Sequence, residues 1–231
     1  MASLSGYVEH NCIVTDAIKR ERADYFIDCK VEEDLLNSQI LSVKNLFIDY
    51  PHEWAVCGGW SIDLHLGKQT REHKDIDIFI WRKNQIFVQR YLLERGWLLE
   101  IAHNGELSKW KRNDYIELPM HGIWCKHEDF EPHFIELLLN ECNETHYQHR
   151  RDISIQLPFG QVIIESEDGI PYLAPQIALL YKSHRLNNDN QHDFEVGFPT
   201  LNGEQQKWLL TNIGKLYGGN HKWLKYYRKS S

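Results

Sequence analysis

Two motifs in the first third of the chain carry residue types suited to binding divalent cations and an anion. Asp75 and Asp77 stand two residues apart in a predicted strand, so their side chains leave the same face about 7 Å apart. Carboxylates this close repel each other, and Mg²⁺, which prefers oxygen ligands, removes that conflict. A D-x-D pair alone is a short pattern, and two aspartates facing solvent are the alternative.

The turn that precedes this pair supplies groups that suit a phosphate. Gly58 and Gly59 let the backbone turn tightly and let a phosphate approach its N–H groups. Ser61 begins a predicted short helix, whose free N–H groups favour an anion. The order strand, glycine turn, helix and two-acid strand therefore favours a site that grips a nucleoside triphosphate through two divalent ions. One ion would activate an attacking hydroxyl and the other would hold the triphosphate.

A third carboxylate would complete such a site, and Glu136 is the candidate. It is the only charge between Phe134 and Leu139, and a buried charge needs a partner or a metal. We expect it to be a metal ligand, a general base toward the acceptor hydroxyl, or both. The alternative is a buried ion pair with Arg71 or Arg151. Other acids close enough in sequence to take the role are Asp129, Glu131 and Glu141.

The elements that must position these residues follow from apolar periodicity. Helical spacing predicts a helix over Glu32–Asp49, and residues 1–31 contain two weak strand candidates, Tyr7–Val14 and Tyr25–Val31. Further strands are expected at Glu53–Cys57, Asp75–Trp81, Trp97–Ile101, His121–Lys126 and His133–Asn140, and a hairpin joins Asp152–Pro158 to Gln161–Ser166. Further helices are expected at Ser61–Leu66, Asn84–Arg95, from Pro175 to His184, from Asn202 to Gly218 and at His221–Tyr227, with a polar loop at Asn187–His192.

This pattern predicts an α/β (α+β) fold, a mixed-sheet domain followed by a C-terminal helical segment. We expect three parts: an extension at residues 1–31 with no assigned role, an α/β domain at 32–167 and a helical subdomain at 168–231. The net charge is −7, which argues against a nucleic-acid partner and favours a small or cationic substrate. No apolar run reaches the ~18 residues of a membrane span. Five scattered cysteines and no secretory signal fit a cytoplasmic protein.

The Gly58–Asp77 segment is similar to the nucleotidyltransferases of the aminoglycoside 2″-adenylyltransferase family. That family belongs to the DNA-polymerase-beta-like superfamily, as do the lincosamide nucleotidyltransferases. The resemblance spans residues 35–225, and it is carried further by Phe134–Glu141, Arg150–Asp152, Asp168–Pro175, Leu179–Lys182, His192–Phe194, Trp208-Leu209 and His221–Leu224.

The resemblance implies transfer of a nucleoside monophosphate from ATP or another NTP to a hydroxyl, with Mg²⁺, expected as two ions, and release of pyrophosphate. The acceptor would be small and hydroxylated, for example aminoglycoside-like, which would make antibiotic resistance the role. By position, the metal would be bound by Asp75, Asp77 and Glu136. The triphosphate would be held by Gly58, Gly59, Ser61 and Lys182.

Two departures from the family pattern keep other functions open. Asp189-Asn190-Gln191 stand before Asp193 where the family usually shows a Lys-Asp pair, and Glu136 stands where some relatives carry Asp. A non-catalytic antitoxin or nucleotide sensor is therefore one alternative. The basic C-terminal tail and residues 1–31 suggest another, an enzyme that modifies a protein or a tRNA. The oligomeric state and the base of the NTP stay open.

A zinc site is a less favoured hypothesis for the histidine-rich segment that leads into the strand of Glu136. Its spacing matches no standard zinc finger, and a strand–turn–strand would spread the side chains over both faces. The residues concerned are His121, Cys125, His127 and His133.

Overall fold

The computed structural model describes residues 38–225 of the chain. The chain divides into two compact units, Met1–Val43 and Lys44–Ser231, and of the first only residues 38–43 are described. Residues 38–46 form helix α1, which confirms the middle of the predicted helix Glu32–Asp49. The remaining predictions for residues 1–37, and those for residues 226–231, lie outside the described residues.

A mixed sheet forms the centre of the second unit, and it confirms the predicted fold class. Strands β2 and β6 run parallel, as do β1 and β10, whereas the other neighbouring pairs are antiparallel. The strand order is β4-β3-β5-β6-β2-β1-β10-β9, and β7 continues from β6 to β8. The strands are β1 Trp54–Cys57, β2 Asp77–Trp81, β3 Leu98–His103, β4 Glu106–Lys109, β5 Gly122–Lys126, β6 Phe134–Cys142, β7 His146–His149, β8 Asp152–Pro158, β9 Ile163–Glu165 and β10 Pro171–Leu173.

Helices cover the sheet and close the chain. Gly67 ends α2 in a left-handed conformation, at φ 65°, and Asn202 and Gln205 form a capping box at the start of α6. Both features confirm the predicted helix ends. The bounds are α2 Trp60–Leu66, α3 Gln85–Leu93, α4 Pro175–Lys182, α5 Asn188–Gly197 and α6 Gly203–Tyr217, and residues 222–225 are helical.

The register of the central strands places two predicted site residues side by side. Asp77 is directly opposite Glu136 in the parallel β2–β6 pair, and Cys57 is opposite Asp77 in the β1–β2 pair. Further along this face, Phe79 and Trp81 are buried in one apolar core with residues of α4, α5 and α6. The C-terminal helices therefore pack on the face that carries the acids. Among the described residues, no helix combines the length and the apolarity needed to cross a bilayer.

Three local predictions were wrong. The segments around Phe159-Gly160 do not form a hairpin, because β8 pairs with β7 and β9 pairs with β10. The expected loop at Asn187–His192 is the first part of α5, where the Asn187 side chain accepts a hydrogen bond from the Asn190 N–H. Asp75 lies just before β2 rather than within it.

Candidate active site

Three carboxylates meet at the end of the central strands. One oxygen each from Asp75, Asp77 and Glu136 lie within 4.8 Å of one another. Asp77 and Glu136 are held by neighbouring strands in register, whereas Asp75 is exposed and stands in the loop that enters β2. The structure therefore brings together the three acids that the sequence singled out, although only two of them project from strands.

Burial and mutual repulsion make this trio unfavourable as three anions. Burial and then the charge of Asp75 raise the pKa of Asp77 to about 7, although the charge of Lys182 acts to lower it. Burial, followed by the charges of Asp77 and Asp75, raises the pKa of Glu136 to about 7. Clustered carboxylate oxygens are the donors that Mg²⁺ prefers, and a divalent cation would offset this repulsion. The residues present therefore fit a Mg²⁺ site.

Glu136 does not form the ion pair that was its alternative explanation. Arg71 is bonded to Asp193, and the carboxylates of Asp77 and Asp75 are the charged neighbours that shift the pKa of Glu136. Glu141, one of the competing acids, lies 2.5 Å from the Arg82 guanidinium. Gly122 makes room for Glu136, since a Cβ at that position would lie 2.7 Å from its Oε1.

The glycine turn is shaped closely around the acids. Gly58 has a φ of 67°, which favours glycine, and a side chain there would overlap the Asp77 carboxylate. A side chain at Gly59 would overlap Arg71 and His73. Ser61 is fully buried, and its hydroxyl donates to the Gly58 carbonyl at 3.0 Å. The Ser61 side chain therefore braces the turn from inside.

Two cations converge on a single buried acid beside this turn. Arg71 donates two hydrogen bonds to Asp193, at 2.7 and 2.9 Å, and the Lys182 Nζ lies 2.7 Å from the same carboxylate. Burial alone would raise the pKa of Asp193, but the bonds from Arg71 and the charge of Lys182 leave it lowered. Sequence reasoning assigned no role to Asp193. The sequence offered one pointer to it, the His192-Asp193-Phe194 segment that resembles the family.

His73 is oriented by an acid on α2. Its Nε2 lies 2.5 Å from the Asp63 carboxylate. Thr70 donates to the other Asp63 oxygen at 2.6 Å, and the Trp60 ring lies 4.3 Å from the imidazole. His73 is thus fixed with its other ring nitrogen beside Gly59.

The zinc reading finds no support. Within the described part of the chain, the acidic trio is the one group of three potential ligands close enough to share a metal ion. Cys125 is fully buried, and His127 lies 3.1 Å from the carbonyl of Arg95. Cys125 and His127 are therefore not arranged around a shared metal position.

A mixed sheet that presents two strand-borne acids beside a glycine turn, with helices packed on the same face, defines a nucleotidyltransferase-fold protein. The chain belongs to the aminoglycoside-2″-adenylyltransferase family, whose sequence profile matches residues 39–156. This confirms the resemblance seen in the sequence.

Individual relatives agree with this assignment. A lincosamide resistance protein from Staphylococcus haemolyticus is 30% identical over 91 residues, which cover 39% of this chain and 56% of the relative. The match thus spans little more than half the length of that protein.

Solved structures establish the fold. The antibiotic-resistance factor ANT(2″)-Ia in solution has a TM-score of 0.53 at 14% identity and covers 87% of this chain and 99% of its own. The same protein in complex with adenylyl-2″-tobramycin gives 0.52 at 16% identity, with 79% and 97% covered. The lincosamide antibiotic adenylyltransferase LnuA with bound lincomycin gives 0.50 at 21% identity, with 69% and 94% covered.

Proposed function

We propose that the protein is a Mg²⁺-dependent nucleotidyltransferase. It moves a nucleoside monophosphate, AMP from ATP, to a hydroxyl of a small polyhydroxylated acceptor and releases pyrophosphate. The observation that carries this proposal is the trio Asp75, Asp77 and Glu136, whose oxygens lie within 4.8 Å of one another next to the glycine turn. Family membership supports the reaction class.

The three acids share one task in this reaction, and Glu136 has a second. Asp75, Asp77 and Glu136 would hold Mg²⁺, which supplies charge neutralisation at the phosphates and favours ionisation of a bound oxygen. Glu136 accepts the proton of the acceptor hydroxyl as a general base. The acceptor oxygen bonds to the α-phosphorus, and the bond from that phosphorus to the bridging oxygen breaks, so that pyrophosphate leaves.

The glycine turn and its cations hold the triphosphate. Gly58 lets the turn approach the Asp77 carboxylate, and Gly59 lets it approach Arg71 and His73, because a side chain at either position would overlap these groups. Ser61 maintains the turn through its bond to the Gly58 carbonyl. Arg71 and Lys182 share one carboxylate, which leaves net positive charge for phosphate oxygens.

We infer an acceptor of the aminoglycoside or lincosamide kind from the surface next to Glu136. Trp124 is opposite Glu136 on β5 and meets the Phe134 ring edge-on at 5.3 Å, and both rings are half exposed. Glu100 lies on β3, opposite Trp124, and its carboxylate is paired with the Lys126 ammonium at 2.8 Å. Exposed aromatic faces suit a sugar-like molecule.

The altered segment before Asp193 does not argue for a non-catalytic protein. Asn190 is at hydrogen-bond distance from Lys182, at 3.4 Å, and Asp193 keeps both of its ion pairs. A macromolecular substrate was suggested by residues 1–31, which lie outside the described residues, and by the basic C-terminal tail. Within that tail, the Lys215 ammonium lies 3.3 Å from the Asp152 carboxylate.

The test is incubation with labelled ATP, Mg²⁺ and a panel of aminoglycosides, lincosamides and neutral polyols. We expect label on one acceptor, lost when Mg²⁺ is chelated and in Asp75→Asn. An exposed acid nearby, Glu72, gives the control variant Glu72→Gln, which should remain active. Absence of labelled acceptor throughout the panel, with ATP bound, would contradict the proposal.

A further inference from the structure

Two adjacent arginines line the cleft beside the acidic trio. Arg150 and Arg151 stand at the turn between β7 and β8, and their guanidinium carbons lie 5.5 and 5.7 Å from the centre of the Tyr181 ring. Together with Asp77, Tyr181 and Lys182 they line a cavity of about 200 Å³. Clefts that hold whole drug-sized ligands are ~300–1,000 Å³, so this cavity suits one part of a ligand.

Neither arginine is neutralised by a carboxylate within residues 38–225. The interior arginines Arg71 and Arg82 are each bonded to a carboxylate. By contrast, no described carboxylate forms an ion pair with Arg150 or Arg151. The Nη1 atom of Arg151 is buried without a hydrogen-bond partner. Burial lowers the pKa of Arg150, which shows that its charge is held at a cost.

A purely structural role does not explain the pair. Asp152, the acid next in sequence, accepts hydrogen bonds from Ser154 and lies 3.3 Å from Lys215. The Tyr181 hydroxyl accepts from Tyr147 at 2.9 Å and donates to Asn140 at 3.1 Å, so the ring is fixed without the arginines. Two unpaired cations at a cavity wall are the signature of a site built for an anion.

We propose that Arg150 and Arg151 form a subsite for the pyrophosphate part of the nucleotide, a role that rests on the proposed function. The cavity reaches from these guanidinium groups to Lys182 and Asp77, so an anion within it adjoins the metal-binding acids. The reaction supplies one such group, the two terminal phosphates of the triphosphate, which become the leaving pyrophosphate. Planar guanidinium groups match phosphate oxygens in bidentate geometry.

Calorimetric titration of the full chain tests the subsite with inorganic pyrophosphate, ATP and AMP as probes, each with Mg²⁺. Arg150→Gln and Arg151→Gln should each weaken pyrophosphate and ATP binding by about tenfold or more, since each removes charge-assisted hydrogen bonds. Binding of AMP should change little. Arg112→Gln is the control, because that side chain is 63% exposed and does not line the cavity.

Thermal unfolding of the ligand-free variants separates a binding role from a folding role. We expect the glutamine variants to melt at the same temperature as the parent or higher, because an unpaired, partly buried charge is removed. Arg151→Lys keeps the charge and should retain part of the affinity for pyrophosphate.

Two results would overturn the subsite. One is pyrophosphate binding in both glutamine variants equal to that of the parent. The other is a defect confined to the acceptor KM, which would assign the arginines to an anionic group of the acceptor. Binding is measured without turnover. A parent protein that binds pyrophosphate through these arginines and transfers nothing would therefore refute the proposed function and leave the subsite standing.

Discussion

The orientation of the Glu136 side chain depends on a glycine, Gly122, which has no side chain of its own. Gly122 lies on β5, and Glu136 on β6 extends its carboxylate over it. The space that Gly122 leaves is therefore part of the site, in the same sense as the carboxylate itself. Gly58 plays the corresponding part for Asp77, with the added requirement of a positive φ.

Gly122→Ala should reduce nucleotidyl transfer without unfolding the protein. The new Cβ would lie 2.7 Å from the Glu136 Oε1 and displace it, and a shift of about 1 Å at a reacting group can cost ~100-fold in rate. Stability should change little, because the displaced atom is the end of a flexible side chain. Gly160→Ala is the matched control, since a Cβ there meets nothing within 4 Å. Equal activity of the two variants would contradict the assigned role of Glu136.

Asp77→Asn should separate activity from stability. In metal-free buffer at pH 8 the ionised carboxyl is half-buried beside Asp75, so the amide should stabilise the fold by about 1 kcal/mol. Transfer should fall by about 100-fold or more, because the charge that holds the metal is lost. Urea unfolding and the label-transfer assay measure the two effects. A variant that is both less stable and inactive would point to a structural Asp77.

At the scale of elements, apolar patterning predicted most strands and helices because those signals are local. Pairing is not local. β8 and β9 were expected to pair across a two-residue turn, yet each found a partner elsewhere, β7 and β10. The acids on β2 and β6 were identifiable because a charge in an apolar strand is conspicuous. Asp193 was not, since its partner Arg71 lies 122 residues away in the sequence.

Asp193 joins three elements, and its loss should be costly. The carboxylate on α5 holds Lys182 on α4 and Arg71 in the loop before β2. Asp193→Asn leaves two cations facing each other in the interior, which should lower the free energy of unfolding by about 3 kcal/mol. Asp189→Asn, at an exposed site on the same helix, should cost much less. Chemical denaturation compares them, and equal losses would refute this bracing role.

At the scale of the whole molecule, a buried histidine should set part of the acid limit of stability. Burial, followed by the charges of Arg151 and Arg150, lowers the pKa of His149 to about 3. The unfolded chain protonates this residue near its ordinary value of 6.5, so the folded state loses stability as the pH falls from 6.5 toward 3. One such group contributes about 1.4 kcal/mol per pH unit.

His149→Asn should therefore flatten the decline of unfolding free energy between pH 6 and 4. His133→Asn is the control, because that side chain is 67% exposed. Urea unfolding at several pH values gives the slopes. A parent and a His149 variant with the same slope would show that this imidazole is protonated in the folded protein as well.

The position of Asp77 and Glu136 on adjoining central strands has a consequence for how new substrates arise. Their spacing is fixed by the hydrogen-bonded pairing of β2 with β6 at the middle of the sheet. Trp124 and Glu100 stand on β5 and β3, which lie nearer its edge. Diversity introduced at the margin leaves the reactive centre untouched. A library randomised at Glu100 and Trp124 would therefore vary acceptor preference while leaving the proposed metal-binding acids unchanged.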